Sequence, residues 1–357
     1  KLMHNGYAFM IRQTTRPATG QCTLPMYMGF LISEPKHANC TRLAEVSNIS
    51  HDSVNRFLLR EKYEPHDLFV ESSKTLNLTG GILSVDDTTL DKPYSHHMAL
   101  VGYFWSGKHH KVVKGISLIT MYYTDPDGVH LPVNYRIYDH CENKTKNEYF
   151  QAMLDELLLW GLKPAMVTGD SWYSCVKNLK RIKNHSMGLM FGVESNRLVS
   201  LEKGTWQQVQ SLTIPVNGML VYWRNFGRVK VFKTQLKDQL RHYIVYLPET
   251  SPLDAYQGDD FKIAHDAHWH IEQYHRAIKQ LCHIEHFQVR GKIPISNHIF
   301  SALCGYVHLQ KVCATQLLSS LYQMQRALFK EVVGEFIESF VVGKNYLNPQ
   351  FKGAVNA

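Results

Sequence analysis

Three acidic positions in an otherwise basic chain have the types and spacing to do chemistry. Glu272 lies in the stretch HDAHWHIEQYHRAIK, residues 265–279. At about 100° per residue on a helix, His265, His268, Glu272, Arg276 and Lys279 fall within roughly 40° of one line. Ile271, Tyr274, Ile278 and Leu281 gather on the opposite side, as a core-facing stripe does. An ordinary solvated ladder of Glu, Arg and Lys has the same spacing. The other acids end short apolar runs: Asp86 and Asp87 after GILSV, and Asp170 after PAMVTG. None has a cation directly beside it in sequence. Carboxylates brought together repel unless a cation neutralises them, so a divalent metal is expected. Oxygen-only ligands favour Mg²⁺, with Mn²⁺ as a substitute, over zinc. Two such ions roughly 3.5–4 Å apart activate water or a 3′-hydroxyl and stabilise the leaving oxygen of a phosphodiester.

The elements that must bring these acids together can be read from the patterning. From about Pro25 to Glu71 the chain is helical, and TRLAEVSNISHDSVNRFLLRE reads as two short helices around a tight turn with Ser50 or Asp52 as N-cap. That shape is a helix-turn-helix, which would turn Asn55, Arg56 and Arg60 toward DNA. ESSKTLNLTGG is the expected linker. From Gly81 the texture is β: GILSVDD is followed by HHMALVGYFW, VVKGISLITMYYT and VHLPVNYRIYD, separated by the turn signals SGKHHK and DPDG. Three hairpin-joined strands are the simplest account. Thr145 and Glu148 form a capping box that starts a helix, and Gly161 is placed to end it. PAMVTGD is a strand, Val176–Lys183 a helix and GLMFGV a further strand. In the resulting β-β-β-α-β-α-β order, Asp86/Asp87 end the first strand and Asp170 the fourth, and adjacent strand ends are where an open sheet builds a site.

Residues 195–250 interrupt this α/β order with the strand-like runs MLVYWRNFGRVKVFKT and RHYIVYLPET. Arg224, Arg228, Lys230, Lys233, Lys237 and Arg241 make this the most basic block, suited either to a phosphate backbone or to a solvated sheet face. Trp206 and Trp223 suit core packing or stacking on a base. Apolar helices after residue 290 are expected to cover the sheet, with a loose tail beyond Gly343.

Composition sets the frame. The 357 residues carry 39 Lys and Arg against 31 Asp and Glu, a net charge of +8, which suits a polyanionic partner without requiring one. With 44% hydrophobic and 20% charged residues the chain is globular. The longest apolar runs are far short of a membrane span and no signal peptide opens the chain, so no membrane partner is expected. Seven cysteines, an odd number with no CxxC, suggest neither a disulfide framework nor a thiolate zinc site, and fit a reducing cytoplasm. The pairs His96-His97 and His109-His110 lack ligand spacing, and His265, His268 and His270 do not share one helical face, which disfavours a zinc hydrolase.

The motifs carry a resemblance. VDDTTLDK at 85–92, KTKNEYF at 144–150, GDSWYS at 169–174, ESNRLVS at 194–200 and HWHIEQYHRAIK at 268–279 resemble, in order, the bacterial insertion-sequence DDE transposases. Within these, the likeness is to the group whose third motif reads Tyr-x2-Arg-x3-Glu-x6-Lys and whose branch carries DDT, KTKN and DSWYS. The resemblance covers about residues 81–290 and is weak over the first 80. It implies an α/β fold: an RNase H-like mixed sheet with helices on both faces, a β-rich insertion before the last catalytic helix, and an N-terminal helical DNA-binding domain. The corresponding divisions are 1–80, 81–194, 195–252 and 253–345. It implies Mg²⁺-dependent cleavage at transposon ends and attack of the freed 3′-hydroxyl on target DNA. The catalytic and metal-holding acids fall on Asp87 (Asp86 as fallback), Asp170 and Glu272, with two Mg²⁺ ions between them.

Lys279 matches the motif's lysine, and with Arg276 and Arg197 is expected to position phosphates. Arg224, Arg228, Lys230, Lys146 and Arg56 are further expected DNA contacts. The family's tyrosine and arginine fall on His265 and His268, a departure, since histidine still donates to phosphate but is mostly neutral near pH 7. Glu194 is a second departure, standing where relatives tend to carry a basic residue. The implied partners are double-stranded DNA and a second copy in a homodimer, and the implied location is a bacterial cytoplasm, at the nucleoid. Two other readings share these residues: a decayed or domesticated DNA-binding copy without strand transfer, and a structure-selective nuclease on the same fold.

Overall fold

Alternation of β-branched or aromatic residues with polar ones begins at Gly81 and builds one sheet, against which the later described helices pack. The computed structural model describes residues 20–316 apart from 35–37, 108, 203 and 237–238, with scattered residues between 320 and 337. Lys237 and the stretch beyond Gly343 lie outside the described residues.

Four strands, one more than expected, open the sheet: β1 (Ile82–Asp91), β2 (Gly102–Ser106), β3 (Lys111–Thr124) and β4 (His130–Ile137). The long β3 pairs antiparallel with β1 along one edge, and on its other edge with β2 at residues 111–115 and β4 at residues 118–124. The DPDG turn between β3 and β4 closes on Asp125, whose Oδ1 accepts from the backbone N–H of Asp127 and Val129 while Gly128 supplies φ 84°. β5 (Met166–Gly169) and β6 (Gly188–Val193) extend the sheet in parallel from β1. Asp86 and Asp87 therefore stand in the middle of β1 rather than at its end, because antiparallel pairing with β3 carries the strand on to Asp91.

The insertion adds strands to this sheet. β7 (Leu198–Ser200), β8 (Trp206–Gln208), β9 (Met219–Trp223), β10 (Gly227–Leu236) and β11 (Gln239–Tyr246) continue it, with β11 antiparallel to β6. Among the described residues the sheet has eleven strands in the order β2-β3-β1-β5-β6-β11-β10-β9-β7-β8, with β4 beside β3.

Helices cover both faces. α5 (Lys146–Leu159) starts at the Thr145–Glu148 capping box and is followed by Gly161 at φ 99°, and α6 (Val176–Asn184) packs beside it. On the opposite face lies α7 (Gly258–Gln280), then α8 (Lys292–Gln316). The stripe Ile271, Tyr274, Ile278 and Leu281 is buried as its spacing requires. The first half of α7 sits on the insertion through Phe261, stacked on Phe232 at 4.6 Å. Its second half lies over β1 and β3, where Tyr274 meets Tyr122 at 5.0 Å. At the N-terminal end, α1 (Leu24–Ser33), α3 (His51–Arg60) and α4 (Pro65–Ser73) pack against α8, α4 also against β4, and α2 (Cys40–Ser47) packs on α3. They share one continuous apolar cluster with the sheet. α2 and α3 are the two short helices around a tight turn, with Asn48 left-handed at φ 50° and Ser50 as N-cap of α3.

Candidate active site

Parallel pairing of β1 with β5 ends at Val85↔Gly169, so Asp86 and Asp170 are the next residues on neighbouring strands. Gly169 permits that approach: a Cβ there would stand 2.6 Å from Phe191 Cε1 and 2.9 Å from Val85 Cγ1. Side chains alternate across a strand, and the consecutive aspartates of β1 point to opposite faces. Ser84 and Asp86 face α7: the Ser84 hydroxyl bonds that of Thr168 (2.8 Å), Thr168 Oγ1 lies 3.3 Å from His268 Nδ1, and Asp86 Oδ2 lies 3.5 Å from His275 Nδ1. Asp87 faces α5, where its carboxylate accepts from Lys146 Nζ at 2.6 Å and from the Tyr173 hydroxyl at 3.0 Å.

The two aspartates differ accordingly in charge balance. Lys146 neutralises Asp87. Asp86 has the Asp87 backbone N–H at 2.7 Å and an imidazole that burial holds down to about 4, hence uncharged. Its carboxyl is pushed well above the usual range by burial, then by Glu272 and by Asp87. Asp170 caps the short turn of Ser171–Tyr173 by accepting from the Trp172 N–H at 3.0 Å. Solvent reaches its carboxyl, yet crowding by protein pushes it up to about 8, with Asp86 and then Asp87 adding to the rise. Glu272 is exposed on α7 and is the first charge felt by Asp86 after burial itself.

Lys146 lowers Asp86 only in small part, and the remaining negative charge suits a divalent ion, for which Asp86, Asp170 and Glu272 supply only oxygen donors. Among the described residues no three His, Cys, Asp or Glu side chains stand as a finished metal cage. What the fold provides is convergence of backbones from β1, β5 and α7 on one side of the sheet.

The other expected site residues divide by exposure. Arg276, Arg197, Arg224 and Arg56 project into solvent, as does Arg228, which pairs with Asp254 at 3.2 Å. Lys230 is buried and donates to the carbonyls of Tyr256 (2.6 Å) and Asp254 (3.3 Å), so it holds the segment before α7 rather than facing outward. Arg60 turns inward to Glu61 and the Cys22 carbonyl, leaving Arg56 on the outer face of α3. Lys279 Nζ donates to the Thr89 carbonyl at 2.6 Å and lies 3.3 Å from Glu285, which ties the end of α7 to β1. His265 and His268 lie against the sheet, bonded to Tyr243 (3.3 Å) and Thr168, and burial lowers both, His268 to about 4. Trp223 is core, whereas Trp206 is 41% exposed. Sequence reasoning missed His275 and Tyr173. His275 is one turn from Glu272 on the buried flank of α7, and its Nε2 has no hydrogen-bond partner.

The family described as the transposase DDE domain matches residues 78–307, which include all three acids. Among solved structures the chain is similar to that of the Drosophila P element transposase strand transfer complex, at 7% identity and a TM-score of 0.29, over 54% of this chain. The match spans 48%, about half, of that transposase chain. No curated protein matches the sequence. Among the described residues no helix is long and apolar enough to cross a membrane.

Proposed function

This chain belongs to the transposase DDE domain family, and from that premise we propose that it is a DNA transposase of the bacterial insertion-sequence type. In this reading it cuts at the ends of its element and joins the freed 3′-hydroxyl to target DNA, acting as a homodimer that pairs two ends. The sheet order of its first five core strands, β4-β3-β1-β5-β6 with β5 and β6 parallel to β1, supports an RNase H-like catalytic unit.

One observation supports assigning Asp86 rather than Asp87: Asp86 lies on the α7 side of β1 with Glu272, whereas the ion pair of Lys146 goes to Asp87 on the other side. Asp86, Asp170 and Glu272 would hold the two Mg²⁺ ions, which when bound supply nucleophile activation and leaving-group stabilisation. The protein's own part is placement. Thr168 bridges Ser84 and His268 and so fixes α7 against β1 and β5. Lys279 holds the far end of α7 to Thr89. Asp87 with Lys146 ties the N-terminus of α5 to the opposite side of the same strand. Arg276, Arg197, Arg224, Arg228 and Arg56 offer exposed guanidinium groups for phosphates, each worth about one unit of salt dependence.

The test is cleavage and joining by the purified chain, with Mg²⁺ or Mn²⁺, of DNA carrying the sequences that flank its gene. Metal-dependent nicking followed by joining supports the reading. Binding with no cutting in either metal leaves a DNA-binding protein only, and cutting without joining leaves a nuclease.

A further inference from the structure

The sheet face that carries Asp86 continues past the end of α7 onto the β2–β3 hairpin, where no described element covers it. Alternation in β2 buries Phe104 on the α5 side and turns Tyr103 and Trp105 to the α7 side, where they are 73% and 65% exposed. Their cross-strand partners are Lys114 and Val112, and Val112 is 58% exposed. Two aromatic rings at i and i+2 on a strand, beside Lys114, are costly to leave in water and serve no core. Register sets their distance from the acids: Asp86 pairs with Thr120 and Tyr103 with Lys114, six residues along β3, or about 20 Å. That is a span of a few nucleotides. Flat rings on a sheet face, a cation at their side and a proposed phosphodiester-cutting site down the same face match the chemistry of unpaired nucleotides, whose bases stack while a phosphate meets Lys114.

We propose that Tyr103 and Trp105 form a stacking platform for single-stranded DNA adjoining the scissile phosphate. The proposal rests on the transposase reading, since it takes its strand from that site. Lys114 donates to the Ser95 carbonyl, which holds the loop after β1 beside the platform and fixes the ammonium near the rings. A second copy of the chain is the competing occupant, because β2 is the outer strand of the sheet at that end.

The experiment measures binding of a fluorescent single-stranded oligonucleotide and of the matching duplex to the full chain, without divalent cation so that no cutting intervenes. Tyr103→Ser/Trp105→Ser should weaken single-strand binding about tenfold or more per ring while leaving duplex binding within about twofold. Trp105→Phe, which keeps a flat ring, should stay within about threefold of the parent and serves as the folding-neutral variant. Equal single-strand affinity in the parent and the double-serine variant overturns the platform. So does a parent that is dimeric without DNA and becomes monomeric in the variant, which assigns the face to a second copy. If the parent binds neither form of DNA, the transposase reading itself fails.

Discussion

Asp86 and Asp87 are adjacent in sequence and lie on opposite faces of β1, the first toward Glu272 and the second in a 2.6 Å ion pair with Lys146. The pair therefore separates by mutation. On the proposed function, Asp86→Asn should reduce DNA cleavage at least about a hundredfold with little loss of stability, the effect of removing a metal-holding carboxylate. Asp87→Asn should keep cleavage per folded molecule within about tenfold and lower the unfolding midpoint. The reverse pattern in a cleavage assay run beside urea melts would return the role to Asp87.

Lys146 and Asp87 are both less than one-fifth exposed, so breaking the pair leaves a partly buried charge. Lys146→Met should cost about 1–3 kcal/mol in urea unfolding, and adding Asp87→Asn should recover part of that loss. Additive losses in the double-mutant cycle would mean that the two side chains do not interact.

Gly169 leaves no room for a side chain between β1 and β6. Gly169→Ala should destabilise by about 1–3 kcal/mol, because the added methyl meets Phe191 and Val85. A thermal midpoint equal to the parent's would show that the strands have room to part.

Acid sensitivity should come from buried imidazoles. Burial holds His298 down to about 3 and His275 and His268 down to about 4. Each is below the unfolded value near 6.5, so the folded state binds fewer protons than the unfolded chain in that range. Their stabilising share is present above pH 6.5 and is lost as pH falls from there toward about 3. Melts taken from pH 7.5 to 4 should show a falling midpoint. Tyr27→Phe, which removes the hydroxyl 2.8 Å from His298 Nδ1, should lower the whole curve. A midpoint flat across this range would contradict the neutral state of these rings.

Asp170 has the opposite sign. Its carboxyl is pushed up to about 8 against an unfolded value near 3.8, so its contribution is fully present below pH 3.8 and is lost as pH rises through 8. A bound divalent cation favours the ionised form and should offset that loss. The rise in melting midpoint on adding excess Mg²⁺ should be larger at pH 8.5 than at pH 6, and should vanish in Asp170→Asn. An equal rise at both pH values, or one that persists in the variant, would place the cation elsewhere.

What could be read in advance followed from local rules. The Thr145–Glu148 box, Gly161 after its helix, GLMFGV as a strand and the buried stripe of α7 depend on neighbours within one or two turns. The middle position of the aspartates in β1 depends on the length of β3, which lies beyond the loop that follows. Which aspartate faces α7 depends on strand phase, and VDD gives no phase because both residues are polar. Lys230 looked like part of a basic face, but its carbonyl partners come from residues 254 and 256, which only the fold brings near. The hairpin aromatics read as ordinary strand residues, since nothing in GYFWS says that the opposite layer stops short of them.

Adjacent pairing of β11 with β6 fixes an order of events during synthesis. Asp86 and Asp170 precede the insertion in the chain, whereas α7 follows β11 after a connection that holds the short turn Leu253–Ala255, so Glu272 is made only after all the inserted strands. On the proposed function, the inserted strands gate assembly of the site: the acid set closes only once β11 has joined β6.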